Sequence, residues 1–244
     1  ESKHLGLDNA LQQQWPYHSP HFSFQIQDGQ RLTLIIKMQS DGPGLMPIKI
    51  HSQAHYQKIT RMQDIFWGAI IAVLLATALY NAFVYAMNPN LAYLWYLAFH
   101  STAFVYFSAL NGFGYWLWPL KVQVLLAQNI MSMNFLLIFI IVNFANVFLE
   151  AKKYAPSHYK FIHVFSVSGL MGFVACFFVA EYNTVAIFSI LQFTGSLFGL
   201  SLGYCALKNK FFPARFFLLS WSFTIAGGAI GMMTFMNIIP ANFF

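Results

Sequence analysis

Two patterns of hydrophobic and polar positions divide the chain near residue 52. From residue 22 to residue 50, apolar residues alternate with polar ones, and Asp28-Gly29 and Gly42-Pro43 interrupt the alternation. A period of two with such turn residues is typical of antiparallel β-hairpins. It predicts strands at residues 22–26, 32–38 and 47–50. Three strands make a poor independent core, so we interpret residues 1–52 as the closing strands of a β-sandwich.

Residues 53–64 are polar and predict a stalk, and from residue 65 onward long apolar segments replace the alternation. As a helix, the first of these segments would span roughly 33 Å, enough to cross the hydrocarbon core of a bilayer. Prolines lie between or just after the segments, where helices tend to end. The predicted spans are Ile65–Ala86, Leu91–Leu110, Val122–Leu149, Phe161–Ala180, Thr184–Leu207 and Arg215–Ile238. The predicted fold is thus mainly α, a polytopic membrane helical bundle at residues 65–244.

Composition supports a membrane protein. The chain is 58% hydrophobic and 8% charged, whereas soluble domains contain about 25% charged residues. The net charge of +6 needs no nucleic-acid partner, because the basic residues fall in the connections between segments. Cys176 and Cys205 lie in apolar runs and form no metal-binding pattern, and no residue pattern indicates a cofactor.

The positive-inside rule predicts the orientation. Connections on the side away from the β-rich part contain six basic residues: Lys152, Lys153, Lys160, Lys208, Lys210 and Arg215. The flanks on the other side contain three: Lys58, Arg61 and Lys121. We therefore expect a periplasmic β-rich part and cytoplasmic lysines in contact with lipid headgroups. Six spans leave Phe244 on the periplasmic side, so a cytoplasmic module would require a seventh helix, and we expect the chain to be truncated.

Polar residues within the spans are candidates for contacts between helices. Asn81 and Asn143 could form bistable interhelical hydrogen bonds, and His100 could be a hydrogen-bonding or pH-sensitive node between helices. Packing contacts for the asparagines and a bond to a neighbouring backbone group or hydroxyl for His100 are the simpler interpretations. Glycines repeat every four residues in the fifth span and again in the sixth: Gly195, Gly199, Gly203, Gly227 and Gly231. They predict close packing against another helix of the same chain, and the alternative is that they form the interface of a homodimer.

The sequence offers little evidence for catalysis or transport. No Asp or Glu lies inside a predicted span, whereas ion-coupled transporters usually place a carboxylate at membrane depth. His51 and His55 have the i,i+4 spacing of metal ligands, but that segment resembles a strand end and no metal is expected. A transporter of small molecules or lipids with an outer β cap is the alternative function. A scaffold without an output partner is a third.

Several short motifs occur in the order and spacing of a known family, and together they cover about residues 20–244. They are residues 31–40 and 45–50, Trp67-Gly68, residues 79–83, residues 93–97, residues 111–119, Phe144-Ala145 with Phe148-Leu149, and residues 214–221. In these motifs the chain resembles the bacterial seven-transmembrane receptors with diverse intracellular signalling modules.

This resemblance implies a sensor of the bacterial inner membrane, with a jelly-roll domain in the periplasm, seven helices and a cytoplasmic output. The ligand would be a small molecule, such as a carbohydrate. The output would be a histidine kinase or diguanylate cyclase joined to the same chain. Because that module lies outside this sequence, we expect no enzyme activity here. We expect the last strand to move the stalk, and the stalk to move the first helix.

Overall fold

The computed structural model describes residues 23–25, 29, 31, 33–37, 49–179 and 181–235. In this part of the chain, nine helices follow one another. They are α1 (Gln53–Met87), α2 (Leu91–Leu110), α3 (Gly114–Leu117), α4 (Leu120–Gln128), α5 (Ile130–Phe148), α6 (Ala151–Tyr154), α7 (Pro156–Ala175), α8 (Glu181–Lys208) and α9 (Ala214–Phe235).

Helix α1 joins the predicted stalk and the first apolar segment without a break. Ser52 caps its first turn, because the Ser52 hydroxyl oxygen accepts a hydrogen bond from the backbone N–H of His55 at 3.4 Å. The helix ends at Met87, two residues before Pro89. Its 35 residues correspond to about 52 Å of helix, so α1 is longer than a bilayer core is thick.

Three helical stretches are long and apolar enough to cross a membrane: α1, α5 and residues 183–208 of α8. Helix α9 contains a shorter apolar stretch, Ala214–Ile230. Helices α2 and α7 have 20 residues each and are long enough to span a membrane, but they are not among these three stretches. Helix α2 is rich in amphipathic Tyr and Trp, and α7 contains His158, Lys160 and His163. The bundle is therefore helical and polytopic, while the count of six spans stays a prediction.

The predicted third span, 122–149, is wrong as a single helix, because α4 and α5 are separated at Asn129. The Asn129 side-chain amide donates to the Leu125 carbonyl at 2.9 Å. The Ser132 hydroxyl donates to the Asn129 carbonyl at 2.7 Å. Such short polar side chains satisfy the backbone groups freed at helix ends and so stabilise the break.

The predicted fourth span also begins earlier than expected, at Pro156 rather than residue 161. Proline is well suited to the first helical position, because its missing N–H would be unpaired there in any case. The predicted strands lie largely outside the described residues. Their described parts, at residues 23–25, 33–37 and 49–50, form no strand. The β-sandwich therefore stays a prediction.

The helices pack in a defined order. Helix α1 packs against α2, α2 against α5, and α5 against α7. Helix α8 contacts both α5 and α7 and packs against α9. Many large apolar side chains on the outer faces of these helices are exposed. Such exposure is expected for helices whose outer faces contact lipid. Helix α5 is central, because it is in contact with α2, α7 and α8.

The backbones of α5 and α7 approach closely at Gly169. A Cβ atom at this position would lie 2.9 Å from the Phe139 nitrogen and 3.2 Å from the Phe135 carbonyl oxygen. One helical turn further, a Cβ on Gly172 would collide with the ring of Phe135. That ring is only 1% exposed. Without side chains at these two glycines, α7 can lie directly on α5.

A buried apolar cluster lies where five elements meet: the last turn of α5, α6, the first turns of α7, the end of α8 and the start of α9. Its nine members are Ala145, Leu149, Ala151, Ala155, Ile162, Leu202, Ala206, Ala214 and Phe217. Five of the nine are alanine, and such small side chains let the connections approach the helix ends. This cluster, which we call the end core, fixes α8 and α9 to α5 and α7.

We predict that Gly169→Ala destabilises the bundle, because the new methyl group would push the α5 backbone away. Overpacking of this kind costs about 1–3 kcal/mol of unfolding free energy. The measurement is the thermal unfolding midpoint of the purified protein in detergent. Gly228→Ala is the matched control, since a Cβ there meets nothing within 4 Å and alanine favours helix. Equal effects of both substitutions would contradict the prediction.

Candidate functional site: polar contacts at the two ends of the bundle

A buried glutamine fixes the connection between α2 and α4. The Gln123 side-chain amide donates to the Ala109 carbonyl at 2.9 Å, and its oxygen accepts from the indole N–H of Trp118 at 2.9 Å. Gln123 is 1% exposed. A Cβ on Gly114 would collide with this amide. Only because residue 114 is glycine can the backbone of the connection pass so close to Gln123. We call Ala109, Gly114, Trp118 and Gln123 the glutamine clamp.

The connection held by the glutamine clamp lies against α1, just beyond the stalk. The Phe113 ring is 3.8 Å from the position of a Cβ on Gly68. One residue earlier on α1, the Trp67 ring stacks on Phe107 of α2, with ring centroids 6.1 Å apart. If the stalk end of α1 moved, α2 and the α2–α4 connection would be the first elements it displaced.

Of the three polar residues predicted within spans, the structure brings Asn143 to a polar side chain on another helix. Its amide donates to the Ser166 hydroxyl of α7 at 2.8 Å and to the Phe139 carbonyl of its own helix at 2.7 Å. Asn81 instead donates to the Thr77 carbonyl of α1 at 2.7 Å.

His100 is buried and faces aromatic neighbours. Its Nδ1 atom lies 2.9 Å from the carbonyl oxygen of Tyr96, one turn earlier in α2. The His100 ring also lies beside the rings of Tyr96 and Phe99, at centroid distances of 4.2 and 5.3 Å. Backbone bonding of this kind is the simpler of the two interpretations that the sequence left open.

The glycines of the fifth predicted span face side chains rather than another backbone. A Cβ on Gly195 would lie 3.6 Å from the ring of Phe165 on α7. Gly199 receives the ring of Trp221, whose indole N–H donates to the Ser196 carbonyl at 2.9 Å. Gly203 lies against Leu218 and Phe217 of α9. These glycines make room for large residues of α7 and α9.

The glycines of the sixth predicted span lie in the second half of α9. A Cβ on Gly227 would meet nothing within 4 Å. Gly231 follows one turn later in the same helix. The structure therefore does not bring Gly227 against another described helix.

The basic residues predicted for the cytoplasmic face lie together with the end core. The connection containing α6 touches the α8–α9 connection, because the Asn209 side-chain amide donates to the Tyr154 carbonyl at 2.7 Å. The Tyr154 and Phe211 rings lie 4.8 Å apart. Their basic residues Lys152, Lys153, Lys208, Lys210 and Arg215 are all exposed. A further contact at this end joins His158 Nε2 of α7 to the Ser201 hydroxyl of α8 at 2.8 Å.

The described residues hold no cluster of three metal-ligating side chains. The rings of His51 and His55 lie 5.1 Å apart. A recess of about 50 Å³ lies between the α4–α5 break and the start of α8, with Asn129, Ser132 and Thr184 in its wall. This volume holds a water molecule or two. His100 and Asn81 do not line it.

Sequence reasoning missed Gln123, Ser166, Gly169 and Trp221, which form the contacts between helices. The pair Gly169 and Gly172 was visible in the sequence as small residues three apart, a spacing that places both on one helix face. Gln123 lay near the start of a predicted span and was overlooked. Its two partners are 5 and 14 residues away in the sequence, so no local sequence pattern predicts these hydrogen bonds.

We predict that Gln123→Leu destabilises the bundle, because it leaves the Trp118 indole N–H without its partner. It also removes the side-chain bond to the Ala109 carbonyl, which keeps its bond from the Gly112 N–H. An unpaired buried group costs about 1–3 kcal/mol. The measurement is the thermal midpoint in detergent, together with Trp fluorescence. Gln192→Leu is the control, since Gln192 is exposed on α8. An unchanged midpoint for Gln123→Leu would show that the clamp contributes nothing to stability.

Comparison with known proteins identifies the membrane part. A family model described as 7TM diverse intracellular signalling matches residues 63–244, about three quarters of the chain. No curated protein and no solved structure matches the chain. The matched range begins at the end of the stalk and includes α1 from Gln63 onward, with all the helices that follow. The chain therefore belongs to the 7TM diverse intracellular signalling family, whose domain is a multi-pass membrane sensor and not a known catalytic domain.

Proposed function

We propose that this chain is the membrane core of a receptor that passes a signal from an extracytoplasmic domain to a cytoplasmic output module. The single observation that supports this most strongly is the continuity of α1. One helix runs from its cap at Ser52, through the polar stalk, to Met87. A helix without a break transmits displacement or rotation over its length, whereas a flexible linker would absorb it.

The contacts of α1 provide the next steps of the route. From the stalk end, Trp67 and Gly68 meet α2 and the α2–α4 connection. Helix α2 packs on α5, α5 on α7, and the end core then joins α5 and α7 to α8 and α9. Signalling requires that the ligand stabilise one of two arrangements of these helices over the other. The Asn143–Ser166 hydrogen bond is a discrete contact that two such arrangements could make differently.

The proposal includes its surroundings. The bacterial inner membrane would hold the chain, with the β-rich N-terminal part in the periplasm and the lysine-rich end of the bundle facing the cytoplasm. The partners would be membrane lipids, a small extracytoplasmic ligand such as a carbohydrate, and a kinase or cyclase in the same polypeptide beyond a seventh helix. A homodimer through the glycines of α8 is less well supported, because Gly199 and Gly203 already receive side chains of α9. Gly227 of α9 has open space around it and leaves a homodimer through α9 as part of the proposal.

The alternative, a transporter, has less support. Neither Asn81 nor His100 lines the small recess at Asn129. Both bond to carbonyl groups of their own helices. A translocation path would require polar groups that are free to meet a solute at membrane depth.

We predict that seven glycines inserted between Gln57 and Lys58 abolish the ligand-dependent output of the full-length receptor. Glycine is a poor helix former, so the insertion would uncouple the first turn of α1, and the N-terminal part before it, from the rest of the helix while the spans insert as before. The measurement is output activity with and without ligand, alongside the amount of protein in the membrane fraction.

Seven alanines at the same point are the matched control. They extend the helix by about 700°, close to two complete turns, and so preserve both its rigidity and its rotational register. We expect this variant to keep its response to ligand. A receptor that responds normally with the glycine insertion would overturn the proposed route through α1.

The orientation has its own test. In a Cys176→Ser, Cys205→Ala background, we expect Lys58→Cys to react with a membrane-impermeant maleimide added to intact spheroplasts. Lys210→Cys should react only after lysis, because the lysine-rich end is proposed to face the cytoplasm. The reverse labelling pattern would invert the proposed topology.

A further inference from the structure

Two connections that are far apart in the sequence form one basic surface. It consists of the exposed residues Lys152, Lys153, Lys160, Lys208, Lys210 and Arg215, and we call it the basic surface. Its two halves are joined by the hydrogen bond from Asn209 to the Tyr154 carbonyl and by the Tyr154–Phe211 ring contact. The buried alanines beneath it fix both connections to the helices. The positive charges are therefore held by a packed core rather than by loose loops.

The basic surface has almost no negative charge of its own. Between residues 149 and 217, the acidic residues are Glu150 and Glu181, and Glu181 begins α8 at the opposite end of that helix. Glu150 lies 3.8 Å from Lys153, and both side chains are more than half exposed. An exposed pair of this kind is weak. Hydrogen bonding to Tyr154 and the nearby negative charge of Glu150 raise the pKa of Lys153.

Large apolar side chains border the basic surface. Phe161, Phe212 and Phe216 are 58%, 67% and 58% exposed, respectively. Phe161 follows Lys160, while Phe212 and Phe216 lie on either side of Arg215 in the sequence. The Arg215 guanidinium lies 4.8 Å from the centre of the Phe216 ring. Cations beside exposed aromatic rings suit the boundary between headgroups and acyl chains, where one part of the surface is apolar and the other charged.

Lys210 adds an independent observation. Its φ angle is 68°, in the left-handed region that favours glycine. This residue ends α8 in a motif where the Phe211 N–H bonds to the Ala206 carbonyl at 3.1 Å and the Lys210 N–H to the Leu207 carbonyl at 3.0 Å. Glycine is the usual residue at that position. A lysine here accepts backbone strain, and strained residues of this kind concentrate where their side chains have a function.

We propose that the basic surface binds the phosphate groups of anionic phospholipids. The exposed phenylalanines would enter the adjoining acyl region, and the lysines would each approach a headgroup phosphate. An acidic protein segment fits the charge equally well, but not the exposed aromatic border. The proposal rests on the proposed function only for the statement that this end faces the cytoplasm.

The test measures binding of phosphatidylglycerol to the full chain in a neutral detergent, by native mass spectrometry at increasing lipid concentration. Each basic residue near a membrane surface contributes about 1 kcal/mol, or roughly 5-fold in affinity. The triple variant K152Q/K208Q/K210Q should therefore weaken binding by one to two orders of magnitude. Binding of phosphatidylcholine should not change.

The matched control is K58Q/R61Q/K121Q, which removes the same number of positive charges from exposed residues at the opposite end. It should retain the affinity of the unmodified chain for phosphatidylglycerol. Equal loss in both triple variants would mean that net charge alone attracts the lipid, and it would overturn the proposal. Binding of poly-glutamate that competes fully with the lipid would assign the surface to an acidic protein segment and would overturn it too.

A single substitution separates lipid binding from structure. Lys210→Gly removes one charge and relieves the left-handed strain, so the thermal midpoint in phosphatidylcholine should hold or rise. The extra stabilisation by phosphatidylglycerol should fall. A parallel loss of the midpoint in both lipids would overturn the charge argument for Lys210. These measurements need no receptor output, so they can fail while the glycine-insertion test succeeds, and the reverse.

Discussion

The close approach of α5 and α7 at Gly169 is the constraint on which the rest of the bundle depends. Lipid chains are as apolar as leucine, so the hydrophobic effect cannot hold helices together within a membrane. Association depends instead on tight packing and on hydrogen bonds between helices. The α5–α7 contact uses both, with backbone atoms about 3 Å from the Gly169 Cβ position and a bond from Asn143 to Ser166. Helices α2 and α8 then pack on α5.

The two ends of the bundle are held in different ways. At one end, buried alanines and the Asn209–Tyr154 hydrogen bond tie the connections to the helix ends. At the other end, the glutamine clamp holds the turn between α2 and α4 through one fully buried amide. Polar groups are used sparingly in both places, and the side-chain amides of Gln123 and Asn209 are both paired. An unpaired amide would be costly at these depths.

This arrangement suits a domain that transmits a change rather than one that performs a reaction. Helix α1 packs on α2, and α9 packs on α8, so these two helices form the edges of the described bundle while α5 lies between them. In the proposed route, displacement of the stalk reaches the lysine-rich end through the packed side chains of these helices. A surface bound to headgroups at that end would give the moving helices a fixed reference in the plane of the membrane.

Some features were readable from the sequence because they depend on local composition. The helical segments, the proline-marked ends and the position of the lysines follow from apolar runs, from the missing N–H of proline and from the cost of charge in lipid. The family motifs from Trp67-Gly68 onward lie within the range matched by the family model, whereas those at residues 31–40 and 45–50 lie outside it. The break at Asn129 is not predicted from the sequence. An asparagine in an apolar run can lie within a helix or end one, and the local sequence is the same in both cases.

The partners of each side chain were decided only by the tertiary structure. Asn81, His100 and Asn143 are similar polar residues in apolar runs, yet Asn143 alone among them meets a hydroxyl on another helix. The glycines of α8 were visible as a repeat, but whether they met a backbone or an indole ring depended on where Trp221 lay. Sequence determines which residues enter the membrane, because transfer into lipid is a property of each side chain. Contacts between helices depend on rotation and distance, which are set only when all the helices pack together.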